Sequence, residues 1–186
     1  MRRSMVTMLT ALAGLSTPLA AQRGALTVGF AGTLGGGWQI EALDVGYARR
    51  VHAGPIAAVS LAGRLGSFVD EGAIINGARG FIFGTSLAVR TPTGTLAELG
   101  ADTSASRVGI DFTLEATGYA GSNSPLPVGS PWGAVSGLVG LRFGDPNGGQ
   151  FGLLIGPTVF FGSVTQTRAF LGARFETPLA GRERHP

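Results

Sequence analysis

The sequence predicts an all-β fold, one closed antiparallel β-barrel of about eight strands. Three observations lead there. Apolar residues recur with a period of two in segment after segment, which places alternate side chains on opposite faces of a strand. Charged residues make up 13% of the chain and glycine 32 of its 186 residues, whereas an ordinary soluble domain is about 25% charged. The alternating segments number eight, and an antiparallel sheet closes on itself without a parallel seam only when that count is even.

The chain begins with what reads as a targeting segment. Arg2 and Arg3 give it a positive start, residues 5–15 are apolar, and Pro18-Leu19-Ala20-Ala21-Gln22 supplies the small residues of a cleavage point. Residues 1–22 are therefore expected to be a signal peptide cut near Gln22. The apolar stretch falls short of the roughly 20 residues that a helix needs to cross a bilayer, which argues against a retained anchor. Residues 23–176 are then the barrel and 177–186 a polar tail.

In the first strand, 25–33, Leu26, Val28 and Phe30 alternate with Thr27, Gly29 and Ala31. The second, 38–50, changes phase: Trp38 and Ile40 follow one parity, Leu43, Val45 and Tyr47 the other. One extra residue in a bulge near Ala42 reconciles them. The third, 57–68, sets Val59, Leu61 and Leu65 against Ser60, Ala62 and Arg64, and the fourth, 78–89, sets Phe81, Phe83, Leu87 and Val89 against Gly80, Gly84, Ser86 and Ala88. The fifth, 106–118, is the cleanest. Val108, Ile110, Phe112, Leu114 and Ala116 share one face, while Arg107, Asp111 and Glu115 lie on the other among Gly and Thr. A helix would mix those two sets around its circumference.

The sixth strand, 132–143, opposes Val135, Val139, Leu141 and Phe143 to Ser136, Gly140 and Arg142. The seventh, 151–161, carries Phe151, Leu153, Ile155, Val159 and Phe161 on one face, and the eighth, 165–175, carries Ala169, Leu171, Ala173 and Phe175 against Gln166, Arg168, Gly172 and Arg174. Residues 147–167 hold no charge and match a membrane helix by hydropathy alone, but their glycines, Pro157 and β-branched and aromatic residues favour a strand. Turn residues separate the segments at 35–37, 52–54, 145–149 and 162–163, with longer links at 70–77, 91–105 and 120–131. The link at 91–105 is longer than the short turn expected at that end of such a barrel.

Alternation alone does not say which face points inward. In a soluble barrel the apolar face points in; in a membrane barrel the pattern inverts. The polar faces are rich in Gly, Ala, Ser and Thr rather than in the Lys and Glu that keep soluble sheets dispersed, and all 14 basic residues are arginine. Their charges nearly balance: Asp44, Asp111 and Glu115 are positioned to meet Arg64, Arg107, Arg142, Arg168 and Arg174 inside, where a charge is tolerable only when paired or wet. Aromatic residues gather near segment ends, Trp38, Phe68 and Phe161 at one rim and Tyr47, Phe143, Phe151 and Phe175 at the other, as at a lipid–water boundary. Tyr119 and Trp132 carry the inward parity. The fold expected is thus all-β, a closed antiparallel transmembrane β-barrel, its interior filled by paired charges that serve a structural or interaction role or rearrange into a narrow passage. The competing expectation is an exported, soluble barrel of lipocalin type, with Val108, Ile110, Phe112 and Leu114 turned inward around an apolar ligand.

The signal peptide, the eight segments and the ending Gly172-Ala173-Arg174-Phe175 resemble the small bacterial outer-membrane barrels, such as the transmembrane domain of outer-membrane protein A and the opacity-type adhesins. The resemblance implies residence in the outer membrane as a monomer surrounded by lipid, and insertion by the barrel assembly machinery, which reads a terminal aromatic residue. Here residues 176–186 follow Phe175, a departure from that pattern. Some barrels of this outline are lipid A deacylases or acyltransferases that use a His and a Ser near the membrane surface. His52 and Ser60 belong to no motif that fixes such a pair, so no enzyme is expected.

Little other chemistry is available. Cysteine is absent and His52 and His185 are the only histidines, so neither a metal site nor any other cofactor is expected. Gly35-Gly36-Gly37 precedes a strand and lacks a following Gly-Lys-Ser/Thr, which makes it a turn rather than a phosphate loop. Loss of residues 1–22 leaves twelve arginines and eleven acids, a net charge of +1. No basic run faces stacking aromatics, and nucleic acid is excluded as a partner.

Overall fold

The period-two segments form strands, and together they close a ring. The structure, a computed structural model, describes residues 24–35, 38–69, 77–99, 106–145 and 148–179. The expected signal segment 1–22, Gly36-Gly37, most of the 70–77 link, residues 100–105, and the tail from residue 180 with His185 lie outside the described residues. The strands are β1 (Gly24–Leu34), β2 (Trp38–Ala53), β3 (Ile56–Val69), β4 (Ala78–Arg90), β5 (Gly94–Leu99), β6 (Ser106–Ser122), β7 (Trp132–Gly144), β8 (Gln150–Phe161) and β9 (Thr165–Pro178). All pairings are antiparallel; β1 pairs with β9 and β4 with β6, so eight strands complete a closed barrel. No helix occurs among the described residues, and the uncharged 147–167 stretch contributes β8 and the start of β9.

Within the long 91–105 link, residues 94–99 form an arm rather than a loop. β4 leaves β6 after the pair Arg90↔Thr113, and β5 rejoins it at Gly94↔Ile110, so the two are one strand interrupted at 91–93. Thr91 patches the gap: its N–H donates to Phe112 O at 2.9 Å and its hydroxyl accepts from Phe112 N at 3.0 Å. The arm extends one edge of the ring beyond the lower rim, where the described chain also starts and ends. There Leu179 N donates to Gly24 O at 2.8 Å.

Two of the register shifts set which side chains face inward. β2 pairs Glu41↔Gly66 and then Leu43↔Leu65, skipping Ala42, the bulge that the phase change predicts. Gln39, Glu41, Asp44 and Ala48 consequently all face inward although Glu41 and Asp44 are an odd number of residues apart. β4 bulges between Arg79 and Ile82. Gly80 adopts φ +64° there, and a Cβ on it would collide with the Ser122 carbonyl oxygen, so glycine is required twice over.

The outward positions form a continuous apolar surface. Phe30 is 61% exposed, Ile155 60%, and Phe112 and Leu114 57% each. Between Arg49 near the lower rim and Arg79 at the upper rim, the outward side chains of β1–β4 carry no charge. The interior is mixed. At the upper rim Phe68, Ile82, Tyr119, Trp132 and Phe160 fill the lumen, joined by Leu126 and Val128 from the 123–131 loop folded into the mouth. Tyr119 stacks on Trp132 with centroids 5.3 Å apart, and Phe68 tilts against Trp132 at 5.8 Å. Phe68 is thus not a belt residue as its place at a strand end suggested: it keeps the inward parity of Arg64 and is fully buried. Below this plug Ala31, Leu138, Leu154 and Phe170 form a second apolar layer.

Candidate functional site

The polar residues with chemistry sit inside the ring, below the aromatic plug. Glu41, Asp44, Asp111, Glu115 and Glu176 project inward with Arg64, Arg90, Arg142, Arg168 and Arg174, and Arg50 lines the lower opening. All of these inward residues but Arg168 fall into two clusters.

The central cluster is built around Arg64, on β3, which is 1% exposed. Its Nη2 lies 2.6 Å from Glu115 Oε1 and 3.3 Å from Asp44 Oδ2, and its Nη1 lies 3.3 Å from Glu41 Oε2. Nη1 also donates to Tyr119 Oη at 3.1 Å and Thr117 Oγ1 at 3.3 Å. Arg174 from β9 closes the set, its Nη2 2.7 Å from Glu115 Oε2 and 2.9 Å from Asp44 Oδ2. Glu41 accepts further bonds from the Tyr119 hydroxyl and, at 3.1 Å, from Gln39 Nε2. Arginine suits this place because its planar fork bridges two carboxylates at once, which a lysine ammonium cannot do as well. Three carboxylates face two guanidiniums, so every arginine is shared.

The second cluster lies nearer the lower rim. Arg142 donates from Nε to Asp111 Oδ2 at 2.8 Å, and Arg90 Nε approaches the same oxygen at 3.8 Å. Arg90 also donates from Nη1 to Glu176 Oε2 at 2.7 Å and from Nη2 to Oε1 at 3.3 Å. Gly152 makes room for this arrangement, since a Cβ there would press on the Arg142 side chain. Gly140 does the same opposite Asp111. The glycines of the inward faces are therefore the volume that the arginines occupy in a lumen only wide enough for side chains.

Of the eight residues anticipated from sequence, Asp44, Arg64, Asp111, Glu115, Arg142 and Arg174 lie in these two clusters. Arg168 is buried at the upper rim instead, where its Nε donates to Thr33 Oγ1 at 3.3 Å and Nη1 to Gly35 O at 2.5 Å, with its guanidinium 5.5 Å from the Phe160 ring centre. Arg107 requires a correction. It has the inward parity but precedes the part of β6 that closes the ring, so it stands on the arm, 48% exposed, with Nε 3.1 Å from Glu98 Oε1. Sequence reading missed Glu41, Arg90 and Glu176. The phase change at Ala42 carried the signal for Glu41, and Arg90 continues the inward parity of Ser86 and Ala88.

Val108, Ile110, Phe112 and Leu114, which the soluble-barrel expectation turns inward, stand on the outer face, and Asp111 and Glu115, next to them in the strand, are 1% exposed. Ser60 lies on the inward face of β3, and the His52 side chain is outside the described residues. Compared with known proteins, the chain matches no family model and no curated sequence.

Proposed function

We propose that this chain is a bacterial outer-membrane β-barrel, exported by its signal segment and inserted in lipid as a monomer, with a structural or interaction role rather than a solute pore. The observation that carries the reading is the inversion of burial. Phe30, Phe112, Leu114 and Ile155 are more than half exposed, while Arg64, Asp44, Asp111 and Glu115 are about 1% exposed. Monomeric soluble proteins rarely expose contiguous apolar patches beyond a few hundred Å², and a ring of such residues on all sides calls for hydrocarbon around it. From Leu26 to Leu34 the apolar side of β1, at about 3.4 Å per residue and a tilt of about 40°, stands roughly 20 Å tall, near the ~25 Å band of membrane barrels. Tyr47, Phe151 and Phe175 toward one rim and Trp38, Phe81 and Phe161 toward the other supply the interfacial aromatics.

A passive role follows from the filled lumen. The aromatic plug, with Leu126 and Val128 across it, seals the upper mouth, and the arginine–carboxylate clusters occupy the space beneath. No catalyst is invoked. Cell fractionation tests the location: the protein should sediment with the outer membrane and migrate differently on a gel before and after heating. Recovery in a detergent-free periplasmic extract would instead favour the soluble barrel. Planar-bilayer recording tests the sealed lumen, and a stable, large conductance from the purified protein would refute it.

A further inference from the structure

At the lower rim two cavities of opposite character meet at one break in the wall. The break is the interruption at 91–93, where β4 has left β6 and β5 has not yet rejoined it. On the outer side, a groove of about 340 Å³ runs from Pro55 and Ile56, at the β2–β3 turn, past Val89 to Phe112, Leu114 and Val139. Its lining includes Gly137, where a Cβ would meet nothing within 4 Å. On the inner side, a cavity of about 280 Å³ lies in the lower mouth, bordered by Thr93, Thr95 and Gln150 and by Arg90, Arg107 and Arg142. Arg90 and Thr91 line both cavities.

The two sides accept different chemistry. The outward side chains of the groove are apolar apart from Thr91, whose hydroxyl is taken up by Phe112 N and Pro92 O. In the mouth, Arg90 is paired with Glu176, Arg107 with Glu98 and Arg142 with Asp111. An anionic ligand would need a guanidinium not already taken by a carboxylate, and these three are all taken. A ligand of no net charge enters such a paired lining without upsetting it, and the Thr93 and Thr95 hydroxyls and the Gln150 amide border its space with neutral hydrogen-bonding groups.

We propose that the break seats one zwitterionic phospholipid, with an acyl chain in the outer groove and its headgroup turned over Thr91 into the mouth. The inference rests on the outer-membrane reading, since the lipid comes from the surrounding leaflet. An amphiphile is the occupant that uses both cavities: a purely apolar ligand leaves the mouth empty of contacts, and a soluble polar one leaves the groove bare. Each cavity is close to the size of the smaller known ligand pockets, roughly 300 Å³. The break also lies at the rim that bears Tyr47, Phe151 and Phe175, the height at which interfacial aromatics and lipid headgroups meet.

The test uses the full mature chain folded in micelles of a non-ionic detergent, titrated with dimyristoyl phosphatidylethanolamine and, in parallel, with the anionic dimyristoyl phosphatidylglycerol, and read by native mass spectrometry. One phosphatidylethanolamine should be retained per barrel, in preference to phosphatidylglycerol. Gly137→Leu fills the groove and should weaken that retention about tenfold or more, the loss of roughly two buried methylenes of the chain. Gly63→Leu, on the outward face of β3 with an equally open Cβ position and outside both cavities, should leave it unchanged. Thr93→Val together with Thr95→Val, both outside the closed ring, should weaken it about fivefold or more. Heat-modifiable migration of each variant confirms that the barrel is intact. The proposal is overturned if G137L retains as much lipid as the parent, if G63L loses as much as G137L, if the anionic lipid binds as well as the zwitterionic one, or if the threonine variant binds like the parent. A parent that inserts into vesicles yet retains no phosphatidylethanolamine overturns this site alone, whereas a parent that folds and stays in solution without detergent overturns the membrane reading with it.

Discussion

Replacement of Arg64 by methionine is the sharpest probe of the buried network. The guanidinium is 1% exposed and lies within 3.3 Å of three carboxylates, so its removal leaves Glu41, Asp44 and Glu115 with Arg174 alone. Glu41 loses most, since Arg174 contacts only the other two acids and Glu41 keeps only Gln39 and Tyr119. The cluster passes from one excess negative charge to two. Breaking a buried pair by removing one partner costs about 3–5 kcal/mol, and R64M is expected in that range. Adding Glu115→Gln returns the excess to one charge and should recover about 1.5 kcal/mol or more relative to the sum of the single changes. The assay is a urea titration of the protein folded into lipid vesicles, read by heat-modifiable gel mobility. A loss below about 1 kcal/mol for R64M, or single changes that add within ~0.5 kcal/mol, would refute a coupled network.

Other outcomes follow from the outer face, the bulge and the plug. Leu114→Arg puts a charge midway along the outward side of β6 and, if that side meets lipid as proposed, should cost about 2–4 kcal/mol of folding into vesicles; unchanged folding would mean that this face does not meet lipid. Deleting Ala42 closes the bulge and leaves inward Glu41 next to outward Leu43, so the deleted chain should still give a heat-modifiable band; loss of the band would mean that the bulge itself is needed for closure. Phe160→Ala, in the centre of the plug, should cost about 3–5 kcal/mol in the same urea titration. Brominated acyl chains should quench Trp38 in a Trp132→Phe variant and leave Trp132 bright in a Trp38→Phe variant, because Trp132 is 3% exposed within the lumen.

The strands were legible because period two survives in any strand that separates two environments. Phe112 beside Asp111 and Leu114 beside Glu115 give that contrast without ambiguity, and the break of phase at Ala42 located a bulge from sequence alone. What was hidden depends on the third dimension. β5 has no clear alternation, and only its pairing with β6 makes residues 94–99 a strand. Arg107 shows why parity is insufficient: it tells which side of a strand a residue takes, not whether the ring has yet closed at that height. Phe68 erred the other way, since an aromatic residue at a strand end fits a belt or a plug equally well until its parity is compared with Arg64. Leu126 and Val128 lie in a turn-rich link, and no periodic signal announces that this link folds into the mouth.

The seam between β1 and β9 has a bearing on how such a chain is made. Their ten register pairs join residues about as distant in sequence as the described chain allows, and Leu179 is hydrogen-bonded to Gly24 across the same rim. Every other strand pair in the ring is more local, so ring closure waits until the last strand exists. Yet the finished ring has no distinguished starting point. A circular permutant that links Leu179 to Gly24 through a short spacer and opens within 70–77 should reach the same barrel, with the β3–β4 pair as its final seam. Comparing the folding rates of the two chains would separate the order of synthesis from the geometry of the product.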